Sequence, residues 1–180
     1  EEDHSILENG NVELKNLEEA LQLPVNISIE KFFNEICPPL PLNFEPQEDE
    51  PLAVKSLIKR RSFRESARER YTPEQWRMHR WAYAQLTEKV DSQIQIILDA
   101  LKQSGNEENT MVIFSSDHGD NDSSHKMEHK TVFYEESANI PFIVMWKGNI
   151  QGGQVDNKSL ISNGLDLLPT ISDYIGLKGI

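Results

Sequence analysis

Six residues within fourteen consecutive positions carry side chains that can do chemistry together: Asp117, His118, Asp120, His125, His129 and Lys130. Carboxylates bind hard cations, imidazoles bind borderline ones, and a nearby lysine brings positive charge to an anionic substrate. Asp117 and His118 are adjacent, so both reach one ion only where the backbone bends, and Gly119 permits that bend. The pattern points to one half of a metal-assisted hydrolytic site. A polar surface loop whose acids and histidines merely meet water has the same spacing, so spacing alone leaves both readings open.

The elements that must position these residues are legible on either side. Residues 111–115 form an apolar, partly β-branched run that ends in the cluster, as when an α/β protein delivers charged ligands to the rim of its sheet. A second strand is expected at residues 140–146, apolar enough for burial on both faces, with Pro141 at its start where a missing N–H does little harm. Upstream, Thr72-Pro-Glu-Gln75 reads as a capping box with proline at the first helical position. Trp76, His79, Tyr83, Leu86, Val90, Ile94, Ile97, Leu98 and Leu101 then recur at helical spacing up to Gly105, a natural stop. His79 lies on the apolar side and reads as a core or boundary histidine, not a ligand. Residues 147–153 are rich in turn formers, residues 155–162 suggest a short strand, and residues 165–175 a closing helix before Gly176. Helix, strand, loop, strand, helix gives an α/β layer.

Nearer the start, Leu14, Leu17 and Leu21 suggest a short amphipathic helix, and Ser28 caps another through Ile36 whose face is Ile29, Phe32, Phe33 and Ile36. The prolines of Cys37-Pro-Pro-Leu-Pro-Leu-Asn-Phe-Glu-Pro46 exclude helix and central strand, leaving an extended loop pinned over a surface. Residues 1–54 thus form an acidic, proline-rich segment, and residues 55–180 the α/β part. Residues 55–80 reverse the charge: Lys55, Lys59, Arg60, Arg61, Arg64, Arg68, Arg70, Arg77 and Arg80 stand against Glu65, Glu69 and Glu74. An anion-binding patch and a solvated region balancing the acidic segment are both open, and nothing in the spacing converges the arginines.

The 180 residues suffice for one domain with a real core. A formal net charge of −12 argues against nucleic acid as a partner, since phosphate-binding surfaces need the opposite sign. No apolar run reaches the length of a membrane span, and the first residues are no signal peptide, so the chain is expected to start after processing or within a larger protein. The single cysteine, Cys37, excludes an internal disulfide or a cysteine-based metal cluster.

Several ordered motifs carry a family resemblance. Thr110-Met-Val-Ile-Phe-Ser-Ser-Asp-His-Gly-Asp120 resembles the second metal-ligand motif of the sulfatases, an apolar strand ending in T/S-S-D-H/N-G. His125, then Lys130-Thr-Val-Phe-Tyr-Glu-Glu136, then Ile140-Pro-Phe-Ile-Val144 resemble the motifs next in order in that family. Leu165-Asp-Leu-Leu-Pro-Thr-Ile171 with Tyr174-Ile-Gly176, the helix around Val90-Asp91 and Ile97-Leu-Asp-Ala-Leu101, and the proline-rich loop extend the resemblance over residues 38–176.

The resemblance implies a partial alkaline-phosphatase-like sulfatase sandwich with a central, mostly parallel sheet flanked by helices, lacking its amino-terminal portion. It implies hydrolysis of aryl or carbohydrate sulfate esters by the parent protein, with Asp117 and His118 as ligands of a divalent metal, calcium. Lys130 would contact the sulfate, and His125 would contact it or protonate the leaving alcohol. The nucleophile, a formylglycine made from Cys or Ser in a Cys/Ser-x-Pro-x-Arg motif, would lie upstream. Cys37-Pro-Pro-Leu-Pro41 has Pro41 where that motif needs arginine and comes too late in the chain, so Cys37 is rejected as the nucleophile. Asn121-Asp-Ser-Ser124 and Lys126 depart from the family's glycine-containing loop, and the role of His129 is open. The partner implied is a sulfated small molecule or glycan, the parent's location periplasmic or secreted, and the isolated segment inactive. Two alternatives remain: a phosphodiesterase or phosphonate hydrolase of the same superfamily, and a non-catalytic glycan-binding remnant using residues 55–80.

Overall fold

The computed structural model describes residues 26–177, and the helix expected around Leu14, Leu17 and Leu21 lies outside them. The chain divides into two compact units. One takes in residues up to Ser92 together with Asp120–Ala138, the other Gln93–Gly119 with residues from Asn139 onward.

In the first unit Ser28 caps helix α1 (Ile29–Lys31), its side chain accepting from the Lys31 N–H at 3.2 Å. The helix widens at once into a π-helical turn, Phe32–Ile36. Phe32 is fully buried against the edges of Phe33 and Trp81, whereas Ile29 and Ile36 are exposed. The expected four-residue apolar face is therefore centred on a single anchor. The proline-rich loop comes next, and helices α2 (Leu52–Lys59) and α3 (Ser62–Arg70) lead to α4 (Pro73–Gln103). Thr72 and Gln75 form the reciprocal capping box: the Thr72 N–H donates to Gln75 Oε1 at 2.9 Å and the Gln75 N–H to Thr72 Oγ1 at 3.2 Å. Phe44, Ala67 and Trp76 make the local core, with Leu40 and Tyr71 packed on it.

The basic stretch is neither an anion patch nor a solvated face at four of its arginines. Arg77 donates to the carbonyls of Phe33, Cys37 and Pro38, and Arg80 to that of Pro39. Phe33 lies in the π-helical turn and would need a donor from Pro38, which has no N–H. Cys37, Pro38 and Pro39 lie in proline-rich loop backbone outside any ladder, and the guanidinium fork supplies donors to all of them. Arg68 grips the buried Glu50 carboxylate at 2.8 and 2.9 Å, and buried Arg64 donates to Thr131 Oγ1 at 3.0 Å. The arginines pin loops.

In the second unit α4 ends before Gly105, whose φ of +71° makes the left-handed stop. Strand β1 (Val112–Ser115) pairs with β2 (Phe142–Met145) in antiparallel register, Val112 opposite Met145 and Ser115 opposite Phe142. The expected central, mostly parallel sheet is not shown among the described residues, which contain this antiparallel pair. The two-sided burial expected for β2 is corrected: Ile143 and Met145 are exposed while Phe142 and Val144 are partly covered. Trp146 donates from Nε1 to the Glu108 carbonyl at 2.8 Å and meets the edge of Tyr174. Residues 155–162 form no strand. Asp156 accepts instead from the Lys158 and Ser159 N–H groups and the Ser159 hydroxyl, a turn closed by its own side chain. Helix α6 (Leu167–Tyr174) closes the unit, with Gly176 after it at φ +76°. In the first unit, α5 (Glu135–Ala138) is a single turn.

Candidate functional site

Asp117 and His118 come directly after β1, one residue beyond Ser116. The Ser116 hydroxyl donates to the His118 carbonyl at 2.6 Å, and the His118 N–H donates to Asp117 Oδ1 at 3.0 Å. Asn163 braces the bend from outside, its Nδ2 donating to the Ser116 carbonyl at 2.6 Å and lying 3.4 Å from that of Asp117. His118 Nδ1 is 2.8 Å from the Gly119 carbonyl. A carbonyl only accepts, so Nδ1 carries a hydrogen, and in the ring's neutral form the lone pair is at Nε2. That atom lies 3.3 Å from Asp117 Oδ2.

Two electron-pair donors brought this close suit adjacent positions around one cation, for which metal–oxygen bonds of about 2.3 Å are usual. The pair fits a divalent ion as part of a larger ligand set. A carboxylate suits calcium, and the imidazole is a softer partner than calcium prefers. Among the described residues no group of three or more acidic, histidine or cysteine side chains is arranged to hold a metal. Asp120 does not extend the set in its own unit. Its Oδ1 accepts from the Asp122 N–H at 2.9 Å, and its Oδ2 is 4.0 Å from His129 Nδ1.

The other candidates belong to the first unit, on the loop from Asp120 to Thr131. The sharp bends come after Gly119, at residues with side chains: φ is positive at Asp122, Ser123, His125, Lys126, His129 and Thr131. Left-handed backbone at such residues costs about 1 kcal/mol each, so the loop must be held from several sides. Asn121, fully buried, donates to the His129 carbonyl from both its N–H at 2.9 Å and its Nδ2 at 2.6 Å. The Ser123 N–H donates to the Met127 carbonyl at 2.9 Å, and its hydroxyl to the Trp76 carbonyl at 3.2 Å. Met127 is buried, and Lys126 pairs with Glu45 at 2.7 Å.

This loop presents His125 and Lys130 differently. His125 is only 6% exposed, stacked on the Tyr134 ring at 3.9 Å, and its carbonyl accepts from Arg68 at 2.7 Å. Lys130 is exposed at the loop's end. His129 is also exposed and lies edge-on to Phe63. Cys37 is buried, burial pushing its thiol pKa up against the pull of Arg77 and Arg80, which suits a structural thiol.

Asn43, Tyr134, Glu136 and Asn163 are the neighbours that residue types alone do not single out. Tyr134 and Glu136 stand in the motif after Lys130, so a signal existed for them, whereas Asn43 and Asn163 sit in loops with no pattern that marks a contact.

Comparison with known proteins now bears on this arrangement. A family model described as Sulfatase matches residues 48–177. The Delta 4,5-hexuronate-2-O-sulfatase of Bacteroides thetaiotaomicron is 35% identical over 108 residues, covering 59% of this chain and 22% of the relative. The Endo-4-O-sulfatase of the same organism is 42% identical over 99 residues, covering 54% of this chain and 19% of the relative. A solved structure of a 2-O GAG sulfatase matches the whole of this chain and 37% of its own, with a TM-score of 0.75 and 28% identity. The chain therefore spans about a fifth of the length of these curated relatives. The solved neighbours are sulfatases, of alkaline-phosphatase-like fold.

Proposed function

Because the chain belongs to the sulfatase family, we propose that it is a segment of a sulfuric ester hydrolase and supplies part of that enzyme's metal and sulfate site. The observation that carries the reading is the approach of Asp117 Oδ2 to His118 Nε2, 3.3 Å apart just beyond β1. It supports a shared divalent cation, calcium by the family's habit. The relatives' names support a carbohydrate sulfate as substrate, and the family resemblance suggests a periplasmic or secreted location for the parent protein.

Each residue has its part in this reading. Asp117 and His118 hold the cation, and Asn163 and Ser116 hold the backbone that aims them. Lys130 places its ammonium on the sulfate oxygens, where it stabilises charge that grows as the ester bond breaks. His125 contacts the ester or gives a proton to the departing alcohol. A divalent cation, held in part by Asp117 and His118, would supply charge neutralisation, and a formylglycine upstream of this segment would supply the attacking hydroxyl. Arg64, Arg68, Arg77 and Arg80 are committed to loop carbonyls, a carboxylate and a hydroxyl, so a glycan-binding role for the whole basic stretch has little support.

The test is release of inorganic sulfate from 2-O- or 4-O-sulfated oligosaccharides by the parent protein carrying this segment. Turnover by the parent and none by the isolated 180-residue chain is the expected result. Turnover of phosphate diesters in preference to sulfate esters would reject the assignment.

A further inference from the structure

We infer that Asn43 and Glu136 are positioning residues that hold the His125 ring in one plane and one tautomer, an inference that rests on the assignment of His125 to the ester bond. Asn43 comes from the proline-rich loop, 82 residues earlier in the sequence, and meets the histidine twice. Its carbonyl accepts from the His125 N–H at 2.8 Å, and its amide nitrogen lies 3.4 Å from His125 Nε2. The same nitrogen donates to Glu136 Oε1. Turning the amide over would set its oxygen against the carboxylate, acceptor against acceptor, so Glu136 decides which end of Asn43 faces the ring.

The tautomer is set by that choice. A donor faces Nε2, Nε2 must accept, and the neutral ring carries its hydrogen on Nδ1. Nδ1 is enclosed, with no hydrogen-bond partner among the described residues, so no competing contact draws the hydrogen the other way. Tyr134 stacks on one ring face with an interplanar angle of 23°, and Arg68 holds the His125 carbonyl, which fixes the plane. Burial raises the pKa of Glu136, but its own backbone N–H, the Asn43 amide, the charge of the His125 ring when protonated, and the Ser124 hydroxyl outweigh burial and hold it below the ordinary value. The carboxylate is thus an acceptor at neutral pH.

The test is a nitrogen–proton correlation spectrum of the histidine rings in the full 180-residue chain, recorded where His125 is neutral. The expected pattern for His125 is that of the Nδ1–H tautomer. Glu136→Gln keeps it, because the carboxamide oxygen still accepts from Asn43. Asn43→Ala and Glu136→Ala lose it, the Nε2–H pattern appearing in its place while the far-ultraviolet dichroism is retained. A dominant Nε2–H pattern in the unaltered chain overturns the inference even if every variant fails to fold. An unchanged tautomer in a folded Asn43→Ala overturns it as well. Unchanged sulfate release by His125→Asn in the parent protein would instead reject the assignment of His125, which the spectra do not address.

Discussion

At the scale of single residues the chemistry is set by which polar atoms the first unit encloses. His79 lies on α4 with its ring edge-on to Trp76 and its Nε2 enclosed without a hydrogen-bond partner among the described residues. Burial lowers its pKa to about 4; Asp120 opposes this, while His129 and Arg80 reinforce it. The folded state therefore keeps the ring neutral where the unfolded chain, near 6.5, takes up a proton. Stability from this residue is complete above about pH 6.5, falls as the pH drops toward 4, and levels off below that. The loss reaches up to about 3 kcal/mol. Urea unfolding at pH 7.5 and pH 4.5, compared between the unaltered chain and His79→Leu, checks it: the substitution flattens this part of the profile. The same slope in both proteins would contradict the prediction. Helical spacing alone placed His79 on the apolar side. The inward-turned arginines were not legible, because Arg77 and Arg80 find their carbonyl partners about forty residues away in sequence. Charge runs carry no such information. Asn43 escaped notice for the same reason, its only claim being contact with residues far along the chain.

At the scale of elements, local chemistry was readable and pairing was not. The Thr72–Gln75 box satisfies two backbone donors reciprocally at the start of α4. Thr72→Ala should lower stability by about 1 kcal/mol, measured as a shift in the urea midpoint at unchanged slope. No shift would mean that tertiary packing alone sets the start of the helix. Arg68 ties α3 to Glu50, which is 5% exposed, and to the backbone of His125. Arg68→Met leaves that carboxylate enclosed without its cation and should cost about 3–5 kcal/mol. Adding Glu50→Gln should recover part of the loss, and a double-mutant cycle by chemical denaturation measures the coupling. Additive losses would show that the pair is not coupled. For the strands the sequence supplied existence but not direction. Four apolar residues pair equally well either way, and the partner of β1 is fixed by contacts outside the strand. β2 read as a continuous apolar run because Ile143 and Met145 are apolar although exposed.

At the scale of the whole molecule, the boundary between the two units falls between Gly119 and Asp120, with Asp117 and His118 in one unit and His125 and Lys130 in the other. The long helix tells a related story: Trp76 is enclosed, while Leu86, Val90 and Ile97, on the same predicted face, are exposed. Motif order made the family legible from sequence, and the family model matches residues 48–177. The candidate site is partial in the described residues, where the Asp117 and His118 side chains meet and no third acidic, histidine or cysteine side chain is arranged with them. Among these residues no helix is long and apolar enough to cross a membrane.

The most direct measurement of the central claim is sulfate release from a sulfated oligosaccharide by the parent protein and its Lys130→Ala and Asp117→Ala variants. Removing the ammonium takes away charge stabilisation worth about a hundred- to a thousandfold in kcat, as for other groups that meet developing charge. Asp117→Ala should raise the concentration of divalent cation needed for activity. Turnover in Lys130→Ala equal to that of the unaltered protein, with an unchanged cation requirement in Asp117→Ala, would contradict the account.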